Sequence, residues 1–208
     1  MSTLLEYYRS GGPVMHAILG VAVLGLAVFF ERVYMLVLKS KGNSRAFAER
    51  VLKLVESGKT AEASKLCAEA TGAIPHIGEY VLKSQSRAES DLQNVADAAG
   101  LAVIPGLTRR LHYLPMLANV ATLLGLLGTI FGLREAFASV AMVSAAERSG
   151  RLAAGIAIAL NATGFGLLTA VPLSVAHAWL SSQAEHMIER VDEFSVRLIN
   201  ALTTRRAD

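Results

Sequence analysis

Acidic residues are missing from two of the three longest apolar stretches of this 208-residue chain, residues 114–133 and 152–180. Cysteine is nearly absent as well. The single Cys67 excludes a disulfide framework within the chain, and its place in a helical pattern fits a buried structural thiol better than a reactive one. Charge is scarce, at 18% of residues, and the net balance of +3 is spread along the flanks of apolar segments, with no basic face to hold nucleic acid. No metal-ligand spacing, phosphate-cradling glycine loop or nucleophile motif is present, so nothing points to an enzyme or to a cofactor. Strand alternation, internal repeats and low-complexity tracts are also lacking.

What the chain does have is hydrophobic length. It is 53% hydrophobic with a mean hydropathy of +0.44, close to the average of a soluble domain, so the distribution along the chain is what carries information. The apolar runs cover residues 13–38, 114–133 and 152–180. About 20 residues at 1.5 Å rise cross about 30 Å of hydrocarbon, so each run is long enough to span a membrane. A cleaved signal peptide does not fit the first run, which starts late, lacks a basic leader and shows no small-residue cleavage site. Buried core helices do not fit the other two, because core helices rarely go so long without charge.

Lysine and arginine set the expected orientation. The loop 39–113 carries eleven and the tail 181–208 four; residues 1–12 carry one, and the connection 134–151 three. Basic residues stay on the cytoplasmic side, so the expectation is an N-terminus (1–12) and connection (134–151) outside, with the loop and tail inside. The fold expected is an all-α membrane protein of three transmembrane helices, with a helical cytoplasmic domain made by the long loop and the C-terminal tail.

Within the loop, Ser44 is placed to cap a helix through Phe47, Val51, Leu54 and Val55 that stops near Gly58. Thr60 starts another, with Ala63, Leu66, Cys67 and Ala70 at helical spacing and Gly72 as its stop; a third follows Pro75. A longer helix from about Ser90 is expected to run into the second span, kinked at Pro105 and Pro115. In the tail, Met187, Val191, Phe194, Leu198 and Leu202 form one stripe, with Glu193 and Arg197 spaced for an i,i+4 pair; the third span is expected to continue into the tail and pack on the loop helices.

Polar groups inside a span must face protein, a partner or water. In the second span Asn119, Thr122, Gly125, Thr129 and Gly132 follow one another on a narrow face. The third places Thr163, Gly166, Ala170 and His177 on a similar one, with Asn161 and Thr169 at its edges. Two readings suit this pattern: tight helix packing with hydroxyls bonded to their own backbone, or a water-lined path. A proton path needs a titratable carrier, and His177 beside Trp179 reads as an interfacial belt residue. Glu31 next to Arg32, at the end of the first run, reads as a local ion pair or interfacial anchor. Either the chain moves no protons, or a partner supplies the carboxylate.

Two motifs add a resemblance. Gly125-Leu126-Leu127-Gly128-Thr129-Ile130-Phe131-Gly132 is similar to the GLLGTVxG element of the ExbB/TolQ group. Ala159-Leu160-Asn161-Ala162-Thr163-Gly164-Phe165-Gly166-Leu167, followed by Ala170-Val171-Pro172, resembles that group's ALxxTxxGLxxAIP element. Gly11-Gly12-Pro13-Val14-Met15 and Glu31-Arg32-Val33-Tyr34-Met35-Leu36 look like the start of ExbB-type chains. The chain is thus identified as resembling the MotA/TolQ/ExbB proton channel family, nearest to ExbB-like biopolymer transport proteins; MotA-type chains normally have four spans.

The resemblance implies a bacterial inner-membrane stator subunit. Such subunits generally assemble as a homopentamer around two single-span ExbD/TolR-like partners, whose transmembrane aspartate carries the proton and whose movement does work across the periplasm. It implies a pore lined by Thr129 and Thr163, with Thr122, Asn119, Gly125, Gly132, Asn161 and Gly166 beside them, and a kink at Pro172. No cofactor is implied. Three departures stand out: Thr122 replaces a common proline, Ile158 replaces a glutamate five residues before Thr163, and Ala178 replaces an asparagine usual after Pro172. Ile158 leaves room for a non-conducting scaffold of the same fold. A stand-alone transporter would show repeats and broken helices, which this sequence lacks.

Overall fold

A computed structural model of the chain describes residues 12–38, 44–86, 88–141 and 143–204. The described residues form helices joined by short turns, with no strand among them. Helix α1 spans Val14–Val33 and widens into π-type turns over Tyr34–Leu38. There follow α2 (Arg45–Glu56), α3 (Thr60–Glu69), α4 (Ala73–Lys83), α5 (Glu89–Thr108), α6 (Tyr113–Val140) and α7 (Arg148–Thr204). Three helical stretches are long and apolar enough to cross a membrane: Val14–Leu36, Glu89–Val140 and Arg148–Thr204. The all-α membrane architecture expected from the sequence is the one observed. The chain divides into two compact units, one of residues 1–30 and 110–178 and the other of 31–109 and 179–208.

The first unit contains most of α1, all of α6 and the first half of α7. Its large apolar side chains point outward: Leu24, Leu123, Ile130, Phe137, Leu160 and Val175 are all exposed. Its interior is made of small residues. The buried face of α6 is Ala118, Ala121, Gly125, Gly128, Gly132 and Ala136, with Leu114 at one end. This inside-out pattern suits a lipid solvent, where large side chains gain nothing by leaving the tails and helices associate by close backbone approach. Helix α1 adds the fully buried Met15 and Ile18, and a side chain on its Gly25 would run into Leu173 of α7.

The second unit is built the opposite way. Val51, Leu52 and Val55 of α2, Ile74, Ile77 and Val81 of α4, Leu92 and Ala96 of α5, and Val191, Phe194, Leu198 and Ile199 of α7 form one buried cluster. Burying such side chains removes apolar surface from water at about 25 cal/mol per Å², which is the main force available to short helices. The expected cap is present, since the Ser44 hydroxyl accepts from the Phe47 amide at 3.3 Å. Gly58, with φ +84°, follows the end of α2 where a side chain would be strained. The tail stripe is seen too: Val191, Phe194 and Leu198 are buried, Leu202 packs on the cluster, and Arg197 bonds Glu193 at 3.3 Å. Cys67 is buried, and desolvation, with the negative charge of Glu79 second, pushes its thiol up to about 11.

Three local expectations need correction. Helix α3 ends at Glu69, short of Gly72, and Gly72 instead opens α4 with φ +147°, a conformation only glycine adopts without strain. Helix α4 starts before Pro75, not after it; the proline sits in the first turn, where its missing N–H costs nothing. The long kinked helix is two helices. The chain leaves α5 at Arg109, turns through Arg110 in the left-handed region (φ +65°), and restarts at Tyr113. Pro105 lies inside α5 and Pro115 in the first turn of α6, so the break falls between the prolines.

Candidate functional site

Of the residues singled out in the second and third spans, Gly125, Gly132, Thr163 and Gly166 meet where α6 crosses α7. The crossing is tight because glycine stands on both sides. A Cβ on Gly125 would lie 3.2 Å from the Cα of Thr163 and 3.3 Å from that of Gly166. One on Gly166 would lie 2.7 Å from the carbonyl oxygen of Ala121 and 3.0 Å from the Cα of Gly125. Further along, a Cβ on Gly132 would lie 3.0 Å from backbone atoms of Ala159, and one on Gly128 would run into the methyl of Ala162. These neighbours are mostly main-chain atoms, which cannot rotate away as a side chain can.

At the closest approach Thr163 ties the two helices together. Its hydroxyl donates to the carbonyl oxygen of Gly125 at 2.9 Å. That carbonyl has a second lone pair, so the contact need not displace a helical hydrogen bond. The other threonines bond within their own helix: Thr129 donates to Leu126 O at 2.6 Å, Thr122 to Ala118 O at 3.1 Å, and Thr169 to Phe165 O at 3.0 Å. In each case the hydroxyl proton is committed to a carbonyl, and the oxygen keeps lone pairs with which to accept. In this arrangement the hydroxyls suit a protonated carboxylic acid or a water molecule, both of which can donate. Solvating an ionised carboxylate would require a hydroxyl to turn away from its backbone acceptor.

The structure separates the predicted residues into two sets. Gly125, Gly132 and Gly166 are buried in the crossing. Asn119 and Thr122 are exposed on α6, while Thr129, Thr163 and Asn161 are half-buried. Pro172 lies within α7, which continues through it. The apolar runs 114–133 and 152–180 carry no carboxylate, and among the described residues no cluster of His, Cys, Asp or Glu is able to hold a metal ion.

A cavity of about 600 Å³ adjoins the crossing, lined by Gly132, Ile158, Phe131, Arg134 and Glu135 among others. Arg134 and Glu135 were read from the sequence as part of a connection. They belong to α6, which runs on to Val140, and only a helix continuing past the apolar run brings them to the same cavity as Ile158.

Comparison with known proteins bears directly on this pair of spans. Residues 43–193 match the model of the MotA/TolQ/ExbB proton channel family. The chain is 25% identical over 190 residues to a putative biopolymer transport protein ExbB homolog of Methanothermobacter thermautotrophicus, covering 91% of this chain and 67% of that one. It is 32% identical over 164 residues to the putative biopolymer transport protein ExbB-like 3 of Synechocystis, covering 78% and 77%. It is 33% identical over 126 residues to the Tol-Pal system protein TolQ of Pseudomonas aeruginosa, covering 56% and 54%. With three membrane-crossing helices and a family match over most of its length, this chain belongs to the MotA/TolQ/ExbB proton channel family, among its ExbB-like members.

Proposed function

We propose that this chain is the ring subunit of an inner-membrane stator powered by the proton-motive force. Five copies surround two single-span chains of the ExbD/TolR type, and proton flow is coupled to work across the periplasm, be it uptake, envelope maintenance or gliding. The N-terminus faces the periplasm, and the long loop and tail face the cytoplasm. One observation carries the reading: the apolar runs 114–133 and 152–180 hold hydroxyls beside a tight crossing, but no carboxylate, and Glu135 comes only beyond the end of the second run. Such a surface can receive a proton carrier and cannot be one.

In this proposal Thr129 and Thr163 contact the partner's aspartate or the water next to it. Asn119, Thr122 and Asn161 extend the polar lining, and Gly125, Gly132 and Gly166 hold the helices close enough to keep the hydroxyls in place. Because their protons lie on backbone carbonyls, the threonines accept from the partner's protonated carboxyl. The proton is carried on the partner, and the ring supplies its path. No enzymatic step is involved.

The test joins assembly to flux. The chain is co-expressed with the single-span, aspartate-bearing protein encoded nearest to it, and the complex is weighed by native mass spectrometry. Its proton flux is then measured in vesicles. A five-to-two complex whose flux collapses in Thr129→Ala supports the reading, with Thr129→Ser retaining most of it. Thr163→Ser is the control for Thr163→Ala, since alanine also removes the bond to Gly125. Full flux in both alanine variants would remove the pore assignment. An intact complex without any flux would favour the scaffold reading, for which the apolar Ile158 in the cavity wall is the specific support.

A further inference from the structure

Arg32 is the anomaly of the second unit. It is 3% exposed, yet among the described residues its Nε has no hydrogen-bond partner, and its guanidinium pairs with the adjacent Glu31 through Nη2 at 3.1 Å. A buried guanidinium N–H left unmatched is costly, so a ligand is the natural complement. Arg32 lines a cavity of about 390 Å³. The start of α4 lines the same cavity; Gly72 offers no side-chain cap to its first turn, in which Pro75 has no N–H to give. Thr71 and His76 line the same cavity. A helix N-terminus and a guanidinium with an unmatched N–H, both lining one cavity, favour an anion. Glu79 is the one acid in the lining, and it pairs with the exposed Lys83 at 2.6 Å.

The rest of the wall is apolar, with Met35, Val103 and Leu107. Arg32 also stands at the end of the first span's apolar run, two residues before an exposed tyrosine, Tyr34, which is the residue type that gathers at the membrane surface. We infer that this cavity binds one anionic glycerophospholipid of the leaflet where α1 leaves the membrane, its phosphate between Arg32 and the first turn of α4 and its chain along Met35, Val103 and Leu107. A free phosphate would satisfy the charges and leave the apolar wall uncovered. The inference rests on the membrane placement of α1 and is independent of proton conduction.

The purified, delipidated full chain is titrated with phosphatidylglycerol, phosphatidylcholine and inorganic phosphate. Bound species are counted by native mass spectrometry and folding is followed by helicity. One phosphatidylglycerol per chain is expected, held about tenfold more tightly than phosphatidylcholine, with the preference lost in Arg32→Gln. Gly106→Leu supplies a second variant. Gly106 lines the cavity, a Cβ there meets nothing within 4 Å, and leucine suits the α5 helix, so this change fills the apolar side without touching Arg32. It is expected to weaken phosphatidylglycerol binding about as much. Equal binding of the two lipids, wild-type retention in folded Gly106→Leu, or inorganic phosphate displacing the lipid at equal concentration would each overturn the inference.

Discussion

The two units of this chain solve the packing problem in opposite ways. In the unit of α2–α5 and the end of α7, the largest side chains are inside: Phe194, Ile74, Ile77, Leu92 and Leu198 are all fully buried. In the unit of α1, α6 and the start of α7, the interior is mostly glycine and alanine, with Met15, Ile18, Leu114 and Leu173 among them, and most of the other large apolar side chains lie outside. The difference follows from solvent. Water expels apolar surface, so bulk goes to the core. Lipid does not, so the gain comes from bringing backbones into contact, and bulk at the interface prevents it.

This contrast predicts opposite responses to opposite substitutions. The largest effect is expected from Phe194→Ala, which empties the centre of the water-facing core. Its ring stands 3.3 Å from where a Cβ on Gly78 would be, so there is no slack to refill. A loss of about 3–5 kcal/mol is expected, read as hydrogen exchange spreading through α2–α4 of the full chain while α6 stays protected.

Cys67 comes next and sharpens the comparison through pH. Folding holds its thiol protonated up to about 11, against 9.0 for the free group. Stability is therefore complete below pH 9, falls between 9 and 11 as the unfolded chain ionises first, and is level above. The total loss is roughly 2–3 kcal/mol. Thermal unfolding of the full chain across that range should show the drop, and Cys67→Ala should abolish it.

In the membrane unit the damaging direction is small to large. Gly166→Ala puts a methyl 2.7 Å from a main-chain oxygen, and the helices must part. About 1–3 kcal/mol is expected to be lost, measured by thermal unfolding in detergent, with the Thr163 bond to Gly125 weakened in the same step. The smallest effect is the control. A Cβ on Gly20 of α1 meets nothing within 4 Å, so Gly20→Ala should cost nothing and gain up to about 1 kcal/mol of helix propensity. If Gly20→Ala hurt as much as Gly166→Ala, the damage would belong to glycine as such and not to the crossing.

Some of this architecture was legible in residues alone. Ser44, the 187–202 stripe and the spacing of Glu193 and Arg197 led to a capped helix, a buried face and an ion pair that the structure contains. Local pattern sufficed because caps and amphipathic faces act within a few turns. The break at 109–112 is not legible in the sequence, because Pro105 and Pro115 mark the kink sites there, whereas Arg110, the residue that takes the left-handed turn, has no compositional mark. The polar face of the second span was half legible. Asn119, Thr122, Gly125, Thr129 and Gly132 share a helical period, and a sequence treats them as one stripe. The structure buries the two glycines against α7 and leaves Asn119 and Thr122 exposed, because small residues serve close packing and polar access alike.

By itself, then, the sequence determined the class, the three spans and the family, because hydrocarbon thickness sets a minimum apolar length and two motifs fall in register on two of those spans. The tertiary structure alone decided which small residues pack and which stay exposed, that Thr163 bonds across to Gly125, and that Arg32 and the start of α4 line one cavity. These are relations between segments distant in sequence. They depend on how closely two backbones approach, and that distance is set by every side chain along the contact together.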